Sequence, residues 1–127
     1  KNFSIEMKKE ILKEVLSMGR GISCFERQGL LYFVEAAFDL FSSRFLFENK
    51  IVESYLALGR DRVVDIRMKF VFIAAKAIKI IGKTEETKTL FDSLLLRLEK
   101  DSNKEIKRIN KFRKDNYDTK TVYGHFL

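Results

Sequence analysis

Not one proline interrupts the chain, and four glycines, Gly19, Gly21, Gly59 and Gly82, fall between segments whose apolar residues recur at helical spacing. Proline breaks helix interiors and marks turns, whereas glycine just beyond an apolar-periodic run reads as a helix end, so this punctuation points to helix after helix. The expected fold is all-α: one domain over residues 1–127, a helical bundle of five or six helices with a non-helical tail at 116–127. Core material is ample, at 46% hydrophobic with 12 Phe. A single Cys and a single His exclude an internal disulfide and the roughly four ligands of a Cys/His zinc module.

Capping signals give the expected order. A first helix follows Ser4, with Ile11, Leu12, Val15 and Leu16 on one face. Ser23 and Glu26 have capping-box spacing, and from there a long second helix is expected to run unbroken from Phe25 to Phe47. A short third lies near 49–58 and stops at Gly59; a fourth spans Arg62 to Ile81, where Ala74, Ala75 and Ala77 favour helix over strand. Thr84, with Glu85 and Glu86 behind it, opens a fifth. Ser102 and Glu105 repeat the capping-box spacing, leaving open either a separate basic helix over about 102–115 or a fifth helix running on to Lys114. No repeat at a period of about 20–50 residues is apparent. The second and fourth helices are expected to form the centre, packed in antiparallel bundle fashion.

Charge is distributed unevenly. The chain carries 25 Lys+Arg against 18 Asp+Glu, and between 104 and 114 six basic residues face only Glu105. On a helix, Lys104, Lys107, Arg108, Lys111 and Lys114 fall in one sector, joined by Lys100, opposite Ile106, Ile109 and Phe112. A solvated lysine face is the commonest fate of such a ridge, yet it also suits an acidic protein surface or, as the alternative, nucleic acid or anionic headgroups. Tyr117, Tyr123 and Phe126 in the tail are candidate aromatic anchors for a protein partner.

Catalytic chemistry is poorly provided for. Arg67 falls among apolar residues of the fourth helix, and pairing with Glu35 or Asp39 of the second would satisfy both as a structural buried ion pair. Cys24 follows a helix cap near Arg20 and Arg27, a setting that favours thiolate, but its only candidate base, His125, lies far off in the tail. No phosphate-cradling loop, nucleophile elbow or zinc-protease motif occurs, and no cofactor or metal is implied. The expectation is a non-catalytic protein. The most apolar stretch, Leu30 to Phe47, holds Glu35, Asp39 and Arg44 and reads as a core helix rather than a membrane span. The lone cysteine fits the cytoplasm.

The stretch Phe33-Val-Glu-Ala-Ala-Phe-Asp-Leu-Phe41, then Asp65-Ile-Arg-Met-Lys-Phe70 and an acidic turn before Leu90, is similar to the mannitol-operon repressor family over residues 30–100. That similarity implies regulation by binding another protein, with Arg67 as the basic residue inside an apolar helix. In size, solitary domain and lack of catalytic residues, the whole chain resembles interbacterial toxin immunity proteins. That likeness implies a stoichiometric inhibitor that covers the active site of a cognate toxin, such as a nuclease. A basic inhibitor of this kind suits an acidic cleft.

Overall fold

The structure is a computed structural model in which residues 4–115 are described. Its helices are α1 (Ile5–Ser17), α2 (Cys24–Leu40), α3 (Ser43–Glu48), α4 (Ile51–Ala57), α5 (Val64–Ile81), α6 (Glu85–Glu99) and α7 (Lys104–Asp115). Single 3₁₀ turns, Met18–Arg20 and Leu58–Arg60, follow α1 and α4. The all-α class is as expected, but the described residues form seven α-helices rather than five or six.

Two breaks account for the difference. The helix expected over 25–47 stops at Leu40: Phe41 is extended (φ −113°, ψ 154°), and the Ser42 hydroxyl then accepts the Phe45 N–H at 3.2 Å to start α3. The apolar periodicity runs on through this point, so only the small hydrophilic pair Ser42–Ser43 marked it. The second break separates α6 from α7 at 100–103. There Asn103, not Ser102, is the cap, its side-chain oxygen accepting the N–H groups of Glu105 (2.9 Å) and Ile106 (3.1 Å).

A recurrence hidden in the sequence organises these elements. α2, α5 and α7 begin at Cys24, Val64 and Lys104, 40 residues apart each time. α2 and α5 follow shorter helices and α7 a longer one, each through a tight turn, giving three helix–turn–helix units, α1–α2, α4–α5 and α6–α7, with α3 inserted after the first. Aligned at that spacing, Met18, Leu58 and Leu98 coincide, as do Arg20, Arg60 and Lys100, the pair Asp61 and Asp101, and the pair Arg27 and Arg67. The recurrence is one of turns, carried by these few positions; the first helices of the units start at Ile5, Ile51 and Glu85 and do not keep the spacing. So few positions carry it that composition and local periodicity conceal it.

Stacking explains the character of α5, which packs between α2 and α7. A helix with neighbours on several sides must be apolar nearly all round, and every residue from Phe70 to Ala75 is buried. The Tyr55 ring of α4 stacks on Phe70 (centroids 4.3 Å apart, planes at 10°) with Phe38 edge-on at 5.5 Å, and the Tyr55 hydroxyl donates to the Phe70 carbonyl at 2.8 Å. Glycine at position 59 lets the turn close on this cluster: a Cβ there would lie 3.0 Å from the Phe70 ring and 3.1 Å from Leu94.

Candidate functional site

The turns between paired helices are held by two interlocking rungs. In the first, the Arg27 Nε donates to Asp61 Oδ2 at 2.6 Å and Nη2 to Oδ1 at 3.1 Å, while Nη1 donates to the carbonyls of Gly21 (2.8 Å) and Ile22 (3.0 Å). Asp61 Oδ1 also accepts the Val63 N–H at 3.0 Å, which sets the entry to α5. The second rung repeats the first. Arg67 Nε and Nη2 donate to Asp101 at 2.8 and 3.2 Å, Nη1 donates to the Asp61 carbonyl at 2.9 Å, and Asp101 accepts the Asn103 N–H at 2.9 Å. Each arginine thus ties the turn of its own unit to the turn of the next, in the bidentate geometry that guanidinium and carboxylate favour.

Both rungs are largely shielded from water, with side-chain exposures of 6% and 7% for Arg27 and Asp61 and 14% and 9% for Arg67 and Asp101. Burial pushes the Asp61 carboxyl up, but the Arg27 hydrogen bond, the Val63 N–H and the charges of Arg27 and Arg62 outweigh it and hold the group below the ordinary carboxylate range. Asp101 is lowered in the same way, burial being overcome by Arg67, the Asn103 N–H and the charge of Lys107. Both stay ionised, and both are spent on structure.

Arg67 therefore does not pair with Glu35 or Asp39. Those carboxylates accept from Lys69 (2.8 Å) and Lys76 (2.7 Å), and Lys69 also lies over the Tyr32 ring at 4.6 Å. The physical reason is height along the helix. Arg27 reaches the start of α5 and Asp39 reaches its far half, so α2 and α5 run parallel. In the 40-residue register Arg67 is level with Arg27, roughly 12 Å short of Glu35 along the axis. A helical projection gave the sector of Arg67 but not its level. The inference that Arg67 points inward to a structural ion pair stands; the partner is Asp101.

On α7, Lys104, Lys107, Arg108, Lys111 and Lys114 are all exposed, while Ile106 and Ile109 are buried and Phe112 packs partly buried against the core. Arg108 bonds Glu105 at 2.8 Å and Lys114 bonds Glu99, leaving Lys104, Lys107 and Lys111 without a salt bridge among the described residues. Arg113 departs from the ridge: it is 3% exposed, and its Nε donates to Asn110 Oδ1 at 3.0 Å. The Asn110 amide in turn donates to the Leu95 carbonyl at 2.9 Å, fastening α7 to α6. Tyr117, Tyr123, His125 and Phe126 lie outside the described residues. Cys24 opens α2, half-buried.

A second cationic feature escaped the sequence reading. The turns of the second and third units face one another across a cleft of about 470 Å³, lined by Arg60, Arg62, Arg67, Arg97 and Lys100 with Asp61 and Asp101. Arg67 and both carboxylates are engaged in the rungs, whereas Arg60, Arg62, Arg97 and Lys100 are exposed and form no salt bridge among the described residues. Arg20 precedes Arg60 by the same 40 residues that separate Arg60 from Lys100. That spacing could have drawn attention to Arg60 and Lys100; Arg62 and Arg97 have no basic counterpart at it, and within any one helix the four make no face.

Among the described residues no group of His, Cys, Asp and Glu is placed to hold a metal ion, and no helix is long and apolar enough to cross a membrane. The likenesses to repressor and immunity proteins rest on the sequence alone: comparison of the chain with protein-family models, with curated proteins and with solved structures found no match.

Proposed function

We propose that this chain is a non-catalytic protein-binding factor, an inhibitor of the immunity type that neutralises a partner by covering an acidic cleft with α7 and its flanks. The observation that carries this reading is the exposed lysine face of α7. Lys107 holds the register of Arg67, the residue through which α5 grips the following unit, yet Lys107 is exposed and forms no salt bridge among the described residues. With Lys104 and Lys111 beside it, α7 offers a partner a cationic counterpart of the surface by which each unit holds the next. Helical-repeat stacks serve as scaffolds for such macromolecular contacts. Fields of one sign speed encounter with acidic partners and weaken with salt.

The test is a triple reversal, Lys107→Glu, Arg108→Glu and Lys111→Glu, measured against a partner co-purified from source cells and then isolated. The expected complex is one to one, with about 800 Å² buried per side. Its association should slow roughly 10- to 1000-fold in the triple variant at low salt, the gap closing as salt rises. Equal binding of native and reversed chains contradicts the reading. Retention of nucleic acid in place of protein, lost in the reversed chain, replaces it with a nucleic-acid-associated role.

A further inference from the structure

The cleft between the second and third turns has chemistry of its own, distinct from the α7 surface. We infer that it is a phosphate-binding site, taking two or three linked phosphates through Arg60, Arg62, Arg97 and Lys100. Five cations line it against two carboxylates, and since Asp61 is paired by Arg27 from outside the lining and Asp101 by Arg67, four positive charges are left over. The carboxylates cannot discharge that surplus, because both oxygens of Asp61 and of Asp101 are already bonded by Arg27 and Arg67. What remains is three guanidinium groups and one ammonium that form no salt bridge among the described residues.

The donor set selects the ligand. Arginine forks match phosphate oxygens bidentately, and three of them with a lysine present more N–H groups than the two oxygens of a single carboxylate can accept. Linked phosphoryl groups bring three acceptor oxygens at a chain end and close to two charges there, which suits both the donor count and the surplus. Size agrees: an open cleft of about 470 Å³ is larger than a single phosphate group. Among the described residues Leu98 is the only apolar side chain in the lining and none of them is aromatic, so none of them stacks on a base or encloses a hydrophobic body. The walls are also preorganised. Arg67 bonds the turn backbone at the Asp61 carbonyl and fixes Asp101 opposite, so the two turns keep their separation without a ligand.

Phosphate in this arrangement has two sources, a free polyphosphate anion or the backbone of a nucleic acid, and Arg20 distinguishes them. It stands 40 residues before Arg60 and is not in the cleft lining, so its replacement should not affect a short anion held in the cleft.

Calorimetric titration with tripolyphosphate and with a short single-stranded oligonucleotide tests the site, using the native chain, Arg60→Gln/Arg97→Gln, and Lys107→Gln/Lys111→Gln as the control on α7. The expected result is saturable binding of tripolyphosphate that weakens roughly tenfold or more in the Arg60/Arg97 variant and is retained in the α7 control. The replaced residues are exposed, so the helical circular dichroism should be unchanged. If Arg20→Gln weakens the oligonucleotide and leaves tripolyphosphate unaffected, the source is a nucleic-acid backbone; if the oligonucleotide does not bind, it is a free polyphosphate. Absence of binding by both probes at low salt overturns the inference. So does equal loss in the two double variants, or preference for an oligoglutamate peptide over both phosphate probes. Loss confined to the Arg60/Arg97 variant concerns the cleft and leaves the α7 reading where it was, whereas failure of the α7 reading shows in the Lys107/Arg108/Lys111 reversal measured against a protein partner.

Discussion

Arg27→Ala should destabilise the fold by about 3–5 kcal/mol, the range for removing one partner of a buried ion pair. The size follows from what is left behind. Asp61 keeps its buried position and one N–H bond from Val63 but loses both guanidinium contacts, and the carbonyls of Gly21 and Ile22 lose their shared donor. The turns of the first two units then have no common fastening at this point. Urea denaturation at neutral pH reads the loss directly, and a change below about 1 kcal/mol would mean the pair behaves like an exposed surface bridge.

The same variant should alter the acid response. Because the Asp61 and Asp101 carboxyls sit below their ordinary value in the native chain, their contribution is present above the unfolded-state value near pH ~3.9 and is lost as pH falls through the lower folded values. Native stability should therefore drop in that acid window. In Arg27→Ala the Asp61 share of the drop should vanish, since burial, no longer opposed by the guanidinium, favours the protonated carboxyl. The Asp101 share should persist.

Phe70→Ala is the second large effect, about 3–5 kcal/mol as for other buried aromatic truncations. Phe70 is fully buried, stacked on Tyr55 and beside Phe91, and the turn at Gly59 closes against its ring. Few neighbours can collapse into the vacated space, because Tyr55 is itself anchored through its hydroxyl to the Phe70 carbonyl and the surrounding helices are fixed by the rungs. Tyr55→Phe is the informative contrast. It keeps the stack and removes one hydrogen bond to a carbonyl that belongs to a helix, so about 0.5–1.5 kcal/mol is expected. Similar losses for the two variants would show that the hydrogen bond, not ring packing, holds the centre.

Local signals in the sequence were read well because the forces behind them are local. Ser4 and Thr84 cap α1 and α6, and the alanines of α5 mark a helix despite its β-branched neighbours. Ile106 and Ile109 go inward on α7 while its lysines stay in water. What escaped notice is relational. Whether Arg67 meets Glu35 or Asp101 depends on how far one helix is shifted along another, and no periodicity within a helix encodes that shift. The break at Phe41 turns on one serine hydroxyl. The repeat lies in a few residues spaced 40 apart, and the cleft cations are visible only once those turns are stacked side by side.

The central claim is a division of labour among arginines: Arg27 and Arg67 are locked into the rungs, and Arg60, Arg62 and Arg97 are free to meet an anion. Nuclear magnetic resonance of the arginine Nε–Hε groups during a tripolyphosphate titration tests both halves at once. The Arg27 and Arg67 signals should be slow to exchange with water and nearly stationary, while those of Arg60, Arg62 and Arg97 shift together and saturate. Equal movement across all five, or movement confined to Arg27 and Arg67, would contradict the account.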